Sequence, residues 1–373
     1  MKAIGIILAG GNNKRMKELT AKRAVASMPM CGSCRAIDFV LTNMAVSRVQ
    51  KVAVLTQYNT KSLNEHLNSS KWWDFGRKQG GLFVYHPTIT PENSNWYRGT
   101  IDSMYQNIHF LKESHEPYVI IASGDGIYKL DYNKVLDYHI QKRADITMVS
   151  ANLQDWEDSS RFGQIVTDED NRLISFEEKP MVEETREVNC GIYVIRRRLL
   201  IELLEACIQE DRYDFVRDVI IRYRNLKRIY AYHLDTYWSN ISSAHSYFKT
   251  NLDFLRPEVR KFFFKEGAGV MTKANDFPPA KYNPGSHVSN SLLASGTIVN
   301  GTVEDSVIFK KSFIGSNCYI KNSIILNDVY IGDNTVIENC IVESHNTIYA
   351  NSSHKGDPDD IKIVLESNNR FII

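Results

Sequence analysis

Short apolar runs of strand length alternate with amphipathic stretches in the N-terminal part of the chain. The runs are Ile4 to Leu8, Lys51 to Thr56, Tyr118 to Ala122 and Ile146 to Ser150, and a segment such as Asp102 to Lys112 lies between two of them. An order in which strands and helices alternate is typical of an α/β sheet whose strands are parallel. The pattern therefore predicts one α/β domain over residues 1–255.

The composition and periodicity of the chain change at about Arg256. Pro257, Pro278, Pro279 and Pro284 are spread over a stretch without a sustained period. Prolines in such a stretch favour a connection over a regular element. Residues 256–287 are therefore predicted to be a linker or arm.

An aliphatic repeat follows over residues 288–373. Isoleucines recur at steps of about six residues or multiples of six, at Ile314, Ile320, Ile331, Ile337 and Ile348. Gly315 and Gly332 follow two of them, and Asn317, Asn322, Asp333 and Asn334 are residues that suit tight corners. The pattern favours a triangular parallel β-helix over an antiparallel sandwich. Such a coil stack is either an acyltransferase domain or a docking scaffold, and the sequence favours the scaffold.

Composition excludes several functional classes. The chain has 373 residues, a formal net charge of +1 and no basic block, so two domains are expected and a nucleic-acid partner is not. The apolar start, Ile4 to Leu8, is too short for a membrane span. Six scattered cysteines lack the density of a disulfide-stapled domain. We therefore expect a cytoplasmic protein that does not enter a membrane.

A phosphate-binding turn is predicted directly after the first strand. Leu8, Gly10 and Gly11 lead into a polar segment that contains Arg15. Glycines after a strand let backbone N–H groups face an anion, and arginine adds a charge-assisted contact. The alternatives are an ordinary strand-to-helix turn and a dinucleotide fold. The dinucleotide fold is disfavoured because Asn12 and Asn13 stand where further glycines belong.

A second candidate site combines one carboxylate with one amide. Asp125 follows the apolar run Tyr118 to Ala122, and Asn240 closes the string Tyr237-Trp238-Ser239-Asn240. Chemistry on the phosphates of a nucleotide usually needs a cation held by anionic oxygens, and asparagine supplies an oxygen without charge. The candidate metal site therefore has one anionic ligand, Asp125, and one neutral ligand, Asn240.

Several strings in order resemble glucose-1-phosphate adenylyltransferases, also called ADP-glucose pyrophosphorylases, over nearly the entire chain. The strings are Leu8-Ala9-Gly10-Gly11, Arg35-Ala36-Ile37-Asp38, Leu55-Thr56-Gln57-Tyr58, Asn95-Trp96-Tyr97-Arg98-Gly99-Thr100, Ser123-Gly124-Asp125-Gly126-Ile127-Tyr128, Glu178-Lys179-Pro180 and Tyr237-Trp238. The resemblance implies a Rossmann-like α/β nucleotidyltransferase domain joined to a C-terminal left-handed parallel β-helix of hexapeptide repeats. It also implies adenylyl transfer from ATP to glucose 1-phosphate, with Mg²⁺ as cofactor.

The resemblance assigns roles to individual residues. Asp125 matches the aspartate of the family that holds the metal, and Arg15 matches a catalytic position. Leu8, Gly10, Gly11, Gly99 and Thr100 match the nucleotide site, and the pair Glu178 and Lys179 matches the site for the sugar phosphate. The reaction implied by the family is mostly a matter of positioning and charge neutralisation.

Four departures from the family pattern point away from catalysis. Asn240 stands at the position of the second metal aspartate, Asn12 and Asn13 lie in the phosphate loop, and Val25 replaces an expected lysine. With these changes the chain most resembles the GlgD type, a regulatory subunit with little or no catalysis of its own. The resemblance implies a mixed oligomer, expected to be a tetramer, with a catalytic homologue in bacterial glycogen synthesis.

Two other interpretations remain open at the level of sequence. The chain is an active adenylyltransferase if Asp125 and the substrate phosphates suffice to hold the metal. It is a sensor without enzymatic activity if it binds glucose 1-phosphate or an effector and turns over no ATP.

The string Cys31-Gly32-Ser33-Cys34 permits a metal or redox interpretation. It has no second cysteine pair at zinc-like spacing, and it lies where the family has a glycine-containing loop. The sequence therefore favours a loop without metal or redox chemistry.

Overall fold

The computed structural model describes residues 2–11, 14–76, 80–88, 96–154, 157–181 and 184–365. The chain divides into two compact units. The first contains residues 1–12 and 39–239, and the second contains residues 13–38 and 240–373. The second unit thus combines the C-terminal part of the chain with a segment from near its N-terminus.

The first unit is built on a mixed sheet that has nine strands among the described residues. The strands are β1 (Ala3–Leu8), β2 (Lys51–Leu55), β3 (Gly81–Tyr85), β4 (Tyr118–Ser123), β5 (Ile146–Asn152), β6 (Gly163–Thr167), β7 (Leu173–Glu178), β8 (Glu187–Arg196) and β9 (Ile229–His233). The four apolar runs that predicted strands are β1, β2, β4 and β5.

Strand β1 lies in the middle of the sheet, between β2 and β4, and is parallel to both. Its first five residues are buried, as expected of a parallel strand that is covered on both faces. The chain continues from β1 to β2 and β3 on one side, whereas β4 lies on the other side. A reversal of this kind beside the first strand is where open α/β sheets bind their ligands, at the carboxyl ends of the strands.

The prediction of a wholly parallel sheet is wrong for one part of it. Strand β8 runs antiparallel to β4, β5 and β6, and β7 runs antiparallel to β6. Strands β6, β7 and β8 follow one another, and the described residues of the connections before them contain no helix longer than a single turn. Short connections of this kind join antiparallel neighbours, whereas parallel neighbours need a crossover of a dozen or more residues.

Helices cover the sheet. The α-helices of the described chain are α1 (Ala36–Val46), α2 (Lys61–Leu67), α3 (Thr100–Gln106), α4 (Ile108–Lys112), α5 (Tyr132–Gln141), α6 (Arg197–Gln209), α7 (Ala244–Asp253) and α8 (Pro257–Phe264), and a π-helix spans Val216–Ile221. Side chains of α3, α4 and α6 form one core with the sheet, together with Phe215, Val219 and Ile220. The predicted amphipathic segment Asp102 to Lys112 is divided between α3 and α4 at Asn107, whose side-chain amide bonds the carbonyl of Ser103 at 2.8 Å.

The second unit begins with short helical turns, Lys14–Thr20 and Val25–Ser27, and a hairpin formed by Pro29–Met30 and Cys34–Arg35. It continues with α7, whose Ser243 and Ser246 cap the helix N-terminus reciprocally. Helix α8 lies inside the predicted linker and starts at Pro257. Proline is favoured at a first helical position because its missing N–H has no partner to lose there.

The rest of the second unit is a left-handed parallel β-helix with three five-stranded faces. The first face contains Lys281–Tyr282, Ile298–Val299, Phe313–Ile314, Tyr330–Ile331 and Thr347–Ile348. The second contains His287–Ser289, Thr302–Glu304, Tyr319–Lys321, Val336–Glu338 and Ser353–Lys355. The third contains Leu292–Leu293, Val307–Ile308, Ile324–Ile325, Cys340–Val342 and Lys362–Val364. The five isoleucines of the repeat are all fully buried, so the predicted fold of this part is confirmed.

The corners of the later coils repeat every 17 residues and carry the polar residues predicted for them. Asn317, Asn334 and Asn351 stack at one corner, where each amide donates to the next side chain at 3.3 and 3.0 Å. All three have a φ between 54° and 61°, a region that asparagine tolerates better than most residues. Gly332 permits the close stacking, because a Cβ there would lie 2.6 Å from the backbone nitrogen of Ala350.

Among the described residues, no helix has the length and apolar character needed to cross a membrane. The domain boundaries drawn from the sequence, at residues 255 and 287, remain a prediction.

Candidate functional site

The glycine turn lies at the carboxyl edge of the sheet. The amide of Ala9 donates to the carbonyl of Leu55 at the end of β2 (2.8 Å), and the carbonyl of Leu8 accepts from Gly124 (2.9 Å). A Cβ on Gly10 would lie 3.3 Å from the Cβ of Gln57, whereas a Cβ on Gly11 would meet nothing within 4 Å. The turn is thus tight at Gly10 and open at Gly11, where an anion has access to the backbone.

Asp125 lies in the turn that follows β4, beside the glycine turn. Leu8 pairs with Ser123 in the sheet, and the hydroxyl of Ser123 donates to Oδ1 of Asp125 at 2.5 Å. Strand Gly126–Tyr128 follows at once and pairs with Trp238–Asn240. The structure therefore brings the predicted carboxylate and the predicted phosphate turn to neighbouring strand ends, as two parallel strands require.

Three further predicted residues belong to the second unit. Arg15 is exposed in the turn Lys14–Thr20, and Asn240 is half-buried. Val25 is 6 % exposed, and its neighbours Ala24 and Ala26 are equally buried. The position of the expected lysine is therefore an apolar packing position. Asn12 and Asn13 lie outside the described residues.

The pair predicted for the sugar phosphate stands at the end of β7. The Nζ of Lys179 lies 3.2 Å from Oε1 of Glu178, and both side chains are exposed to solvent. The amide of Lys179 donates to the carbonyl of Phe162 at 3.1 Å, and Lys179 has a φ of 53°. A lysine beside a carboxylate at an open edge can receive a phosphate while the carboxylate accepts sugar hydroxyls.

A bulge in β8 joins this pair to the Asp125 turn, and the sequence prediction missed it. The register of β8 against β5 shifts between Asn189 and Tyr193, and Gly191 has a φ of 69°. A Cβ on Gly191 would lie 3.3 Å from the Cβ of Ser123. The Asn189 amide donates to the Tyr193 hydroxyl at 2.6 Å. A glycine inside a strand is the available signal, because it often marks a bulge or a close approach.

Tyr193, in the same region, has a raised pKa. Burial raises the pKa of its phenol, and the nearby charge of Glu178 raises it further. Tyr193 therefore stays protonated at neutral pH, and its hydroxyl accepts from the Asn189 amide within the bulge.

Gly99 and Thr100 are held by a segment that the sequence prediction did not single out. A Cβ on Gly99 would lie 2.3 Å from the carbonyl oxygen of Tyr213, so only glycine fits there. The Thr100 hydroxyl accepts a hydrogen bond from the amide of Phe215 at 2.9 Å. The Arg98 guanidinium lies 3.9 Å from the ring centre of Tyr213, and its hydrogen bond with Asp102 raises the pKa of Arg98.

The described residues contain no dense cluster of metal-ligating side chains. No group of three or more His, Cys, Asp or Glu side chains within them is placed to hold a metal ion. Mg²⁺ prefers six oxygen ligands and usually takes one or two carboxylates together with substrate phosphates. The chain offers the carboxylate of Asp125, whereas the position of the second ligand carries the amide of Asn240.

Comparison with known proteins agrees with this architecture. Residues 4–256 match the family described as nucleotidyl transferase, and residues 277–359 match the GlmU-like C-terminal hexapeptide family. The glucose-1-phosphate adenylyltransferase of Thermosipho africanus is 37% identical over 320 residues, which cover 85% of this chain and 77% of that protein. The enzymes of the same name from Geobacillus stearothermophilus and Clostridium novyi are 36% and 34% identical and cover 86% and 85% of this chain, and 83% and 84% of their own lengths.

Proposed function

Because the chain belongs to the glucose-1-phosphate adenylyltransferase family of nucleotidyl transferases, we propose that it is a regulatory subunit of such an enzyme, with weak or no activity alone. The proposed assembly is a mixed oligomer, a tetramer, that contains a catalytic homologue. The reaction of that assembly is ATP plus glucose 1-phosphate to ADP-glucose and pyrophosphate.

The observation that carries the proposal is the neutral residue at position 240. Adenylyl transfer needs positive charge around a phosphate chain, and a metal supplies it only where anionic ligands hold it. Exchanging a carboxylate for an amide removes one unit of negative charge from the ligand set. We expect this loss to cost at least the roughly 10²–10³ in rate that the loss of one preorganised electrostatic donor costs.

Burial of Val25 supports the same proposal. A lysine at this position would place a cation near the phosphates, whereas Val25 is packed between Ala24 and Ala26 and carries no charge. The changes at positions 25 and 240 both remove charge that the family pattern supplies. Val25 and Asn240 both lie in regular elements of the described chain, so a folded partner subunit is the expected result.

The chain has two features that are suited to ligand binding. The open backbone at Gly11 and the Glu178–Lys179 pair are features that bind anions and sugars. A subunit with these two features is able to bind a substrate or effector without turning it over. A ligand bound to one subunit in this way shifts the conformational equilibrium of the neighbouring subunit.

The test is an assay of ADP-glucose formation from ATP, glucose 1-phosphate and Mg²⁺. It uses this chain alone, the catalytic homologue from the same organism alone, and the two co-expressed and purified together. We expect the chain alone to be silent and the mixed oligomer to differ from the homologue in rate or in effector response. Identical behaviour of the homologue with and without this chain would contradict the proposal.

An Asp125→Asn variant separates the proposal from the alternative of an active enzyme. In a mixed oligomer that uses only the catalytic subunit's site, Asp125→Asn in this chain leaves the rate unchanged. If the chain is an active enzyme that uses Asp125 and substrate phosphates for the metal, it forms ADP-glucose unaided, and Asp125→Asn abolishes that activity.

A further inference from the structure

Two cysteines three positions apart stand at the turn of the hairpin near the N-terminus of the second unit. Met30 pairs with Cys34, so Cys31, Gly32 and Ser33 form the loop between the two short strands. Cys31 and Gly32 have φ values of 44° and 82°, which turn the chain back sharply. Cys31 and Cys34 therefore stand at the two ends of one tight turn. Both cysteines are free thiols.

The two thiols differ in exposure. Cys31 is partly exposed, whereas Cys34 is 4 % exposed. The hydrogen bond with Cys31 and burial raise the pKa of Cys34 well above its usual range. A partly exposed thiol is accessible to a reagent in solution, and a buried thiol is accessible only to its neighbour. The pair therefore has the layout of an attacking cysteine and a resolving cysteine.

The hairpin is fixed from outside by side chains distant in sequence. The Cys31 amide donates to Oδ1 of Asn251 in α7 at 2.9 Å, and the Lys310 Nζ donates to the carbonyl of Ser33 at 3.0 Å. Burial lowers the pKa of Lys310. The turn that carries the two cysteines is thus held at two points, by Asn251 and by Lys310.

We propose that Cys31 and Cys34 are a reversible redox pair that closes to an intrachain disulfide by exchange with a low-molecular-weight disulfide of the glutathione class. A disulfide needs Cα atoms roughly 4.4–6.8 Å apart, and the ends of a four-residue turn lie within about 7 Å. The site is independent of the proposed function, because it requires neither nucleotide nor sugar phosphate.

The exchange balances in two steps. The Cys31 thiolate attacks one sulfur of the small disulfide, the S–S bond of that molecule breaks, and one small thiolate leaves. The Cys34 sulfur then attacks the Cys31 sulfur of the mixed disulfide and expels the second small thiolate, which takes up the proton of Cys34. Two protein thiols are oxidised to one disulfide, and one small disulfide is reduced to two thiols.

The test treats the native full-length chain with glutathione disulfide, blocks the remaining thiols with an alkylating reagent and maps the peptides by mass spectrometry. We expect a crosslink between Cys31 and Cys34, a loss of two titratable thiols per chain and full reversal by a dithiol reductant. Persistence of a glutathione adduct on Cys31 without the crosslink overturns the proposal, and so does the absence of any reaction at Cys31.

Variants assign the order of attack. Cys34→Ser is expected to stop at a stable glutathione adduct on Cys31. Cys31→Ser is expected to slow modification of Cys34 by roughly tenfold or more, since the buried thiol loses its reactive neighbour. Equal rates at Cys34 with and without Cys31 contradict the assignment.

Cys207→Ser is the matched control, because Cys207 is a buried cysteine of α6 in the first unit. It is expected to leave the crosslink unchanged. If a variant fails to fold, the disulfide is tested instead by amide hydrogen exchange on the oxidised and the reduced parent chain. The disulfide is expected to change the protection of the Cys31 amide against hydrogen exchange. Equal protection in the oxidised and reduced chains contradicts the proposal that a disulfide closes the turn.

Discussion

Single residues decide how much charge the candidate site carries. Asp125 keeps a carboxylate at the carboxyl edge of the sheet, held by the Ser123 hydroxyl. Val25 and Asn240 carry no charge. Since phosphates are recognised through charge, the proposed loss of activity depends on these two positions.

Restoring one carboxylate is expected to be insufficient. We predict that Asn240→Asp leaves ADP-glucose formation by the chain alone near background, because the buried Val25 still replaces the expected lysine. A steady-state assay against the parent chain measures this. Full activity from Asn240→Asp would show that the single amide accounts for the impairment. Val25→Lys alone is no clean test, since a lysine at a buried site costs several kcal/mol unless it is paired.

His139 gives the first unit a pH-dependent stability. Its side chain is 1 % exposed, its Nδ1 lies 2.8 Å from the Thr147 hydroxyl, and among the described residues its Nε2 has no partner. Burial, helped by the charge of Arg196, lowers the pKa of His139 to about 4. The unfolded chain, with a histidine pKa of about 6.5, binds the proton more readily.

We therefore predict that the free energy of unfolding falls as the pH drops from about 6.5 towards 4, by up to about 3 kcal/mol from this residue. The contribution is fully present above the unfolded pKa. Urea unfolding at several pH values measures it, with His139→Gln expected to flatten the slope. The exposed His109 offers the control His109→Gln, which should keep the slope of the parent. An unchanged slope in His139→Gln would contradict the assignment.

At the level of elements, each coil of the β-helix places neighbouring residues in opposite environments. Ile337 is fully buried inside the stack, whereas its neighbour Val336 is only partly buried. A strand alternates its side chains between two faces, so a single step along the chain separates core from surface.

Ile337→Ala is predicted to lower the free energy of unfolding by about 2–5 kcal/mol, because it leaves a cavity between tightly stacked coils. Val336→Ala on the same strand removes a similar side chain from the outer side and is the control, with an expected cost below about 1.5 kcal/mol. Thermal and urea unfolding measure both. Equal costs for the two variants would mean that the interior of the coils relaxes to fill the space.

The element that sequence reasoning described least well is β8. Its antiparallel course and its bulge at Gly191 follow from pairing with three other strands, and pairing is a property of the folded sheet. The apolar pattern marks Ile192 to Ile195 as strand-like but does not say which neighbours it pairs with. The bulge matters because it brings Asn189 and Tyr193 into the candidate site.

At the scale of the whole molecule, a segment near the N-terminus belongs to the same compact unit as the last coils. The Arg23 guanidinium lies 2.6 Å from the Glu343 carboxylate across a sequence separation of 320 residues. Their side chains are only 13% and 14% exposed. The Arg23 guanidinium also donates to the Ser344 hydroxyl at 3.4 Å.

Arg23→Ala is predicted to cost roughly 1–3 kcal/mol of stability, because it leaves the largely buried Glu343 carboxylate without its cation. Glu343→Ala should cost a similar amount. The double variant should cost less than the sum of the two, which a double-mutant cycle from unfolding curves measures. Additive costs would mean that the two charges do not stabilise each other. The exposed pair Lys17–Asp360 is the control, with an expected coupling below about 1 kcal/mol.

The sequence by itself determined the α/β class of the N-terminal part, the coils with their buried isoleucines and asparagine corners, and the family. These features depend on local periodicity and on strings of residues, which are visible without a structure. It also located Asp125 and the glycine turn, because both follow apolar strands.

Only the tertiary structure decided which strands pair, where β8 bulges, and that Tyr213 closes on Gly99. It also decided that Val25 is a packing position and that Cys31 and Cys34 end one hairpin turn, whose Ser33 carbonyl accepts from Lys310. The physical reason is the same in each case. Burial, close approach and the charge around a side chain depend on segments that are distant along the chain, and a local pattern contains no information about which of them meet.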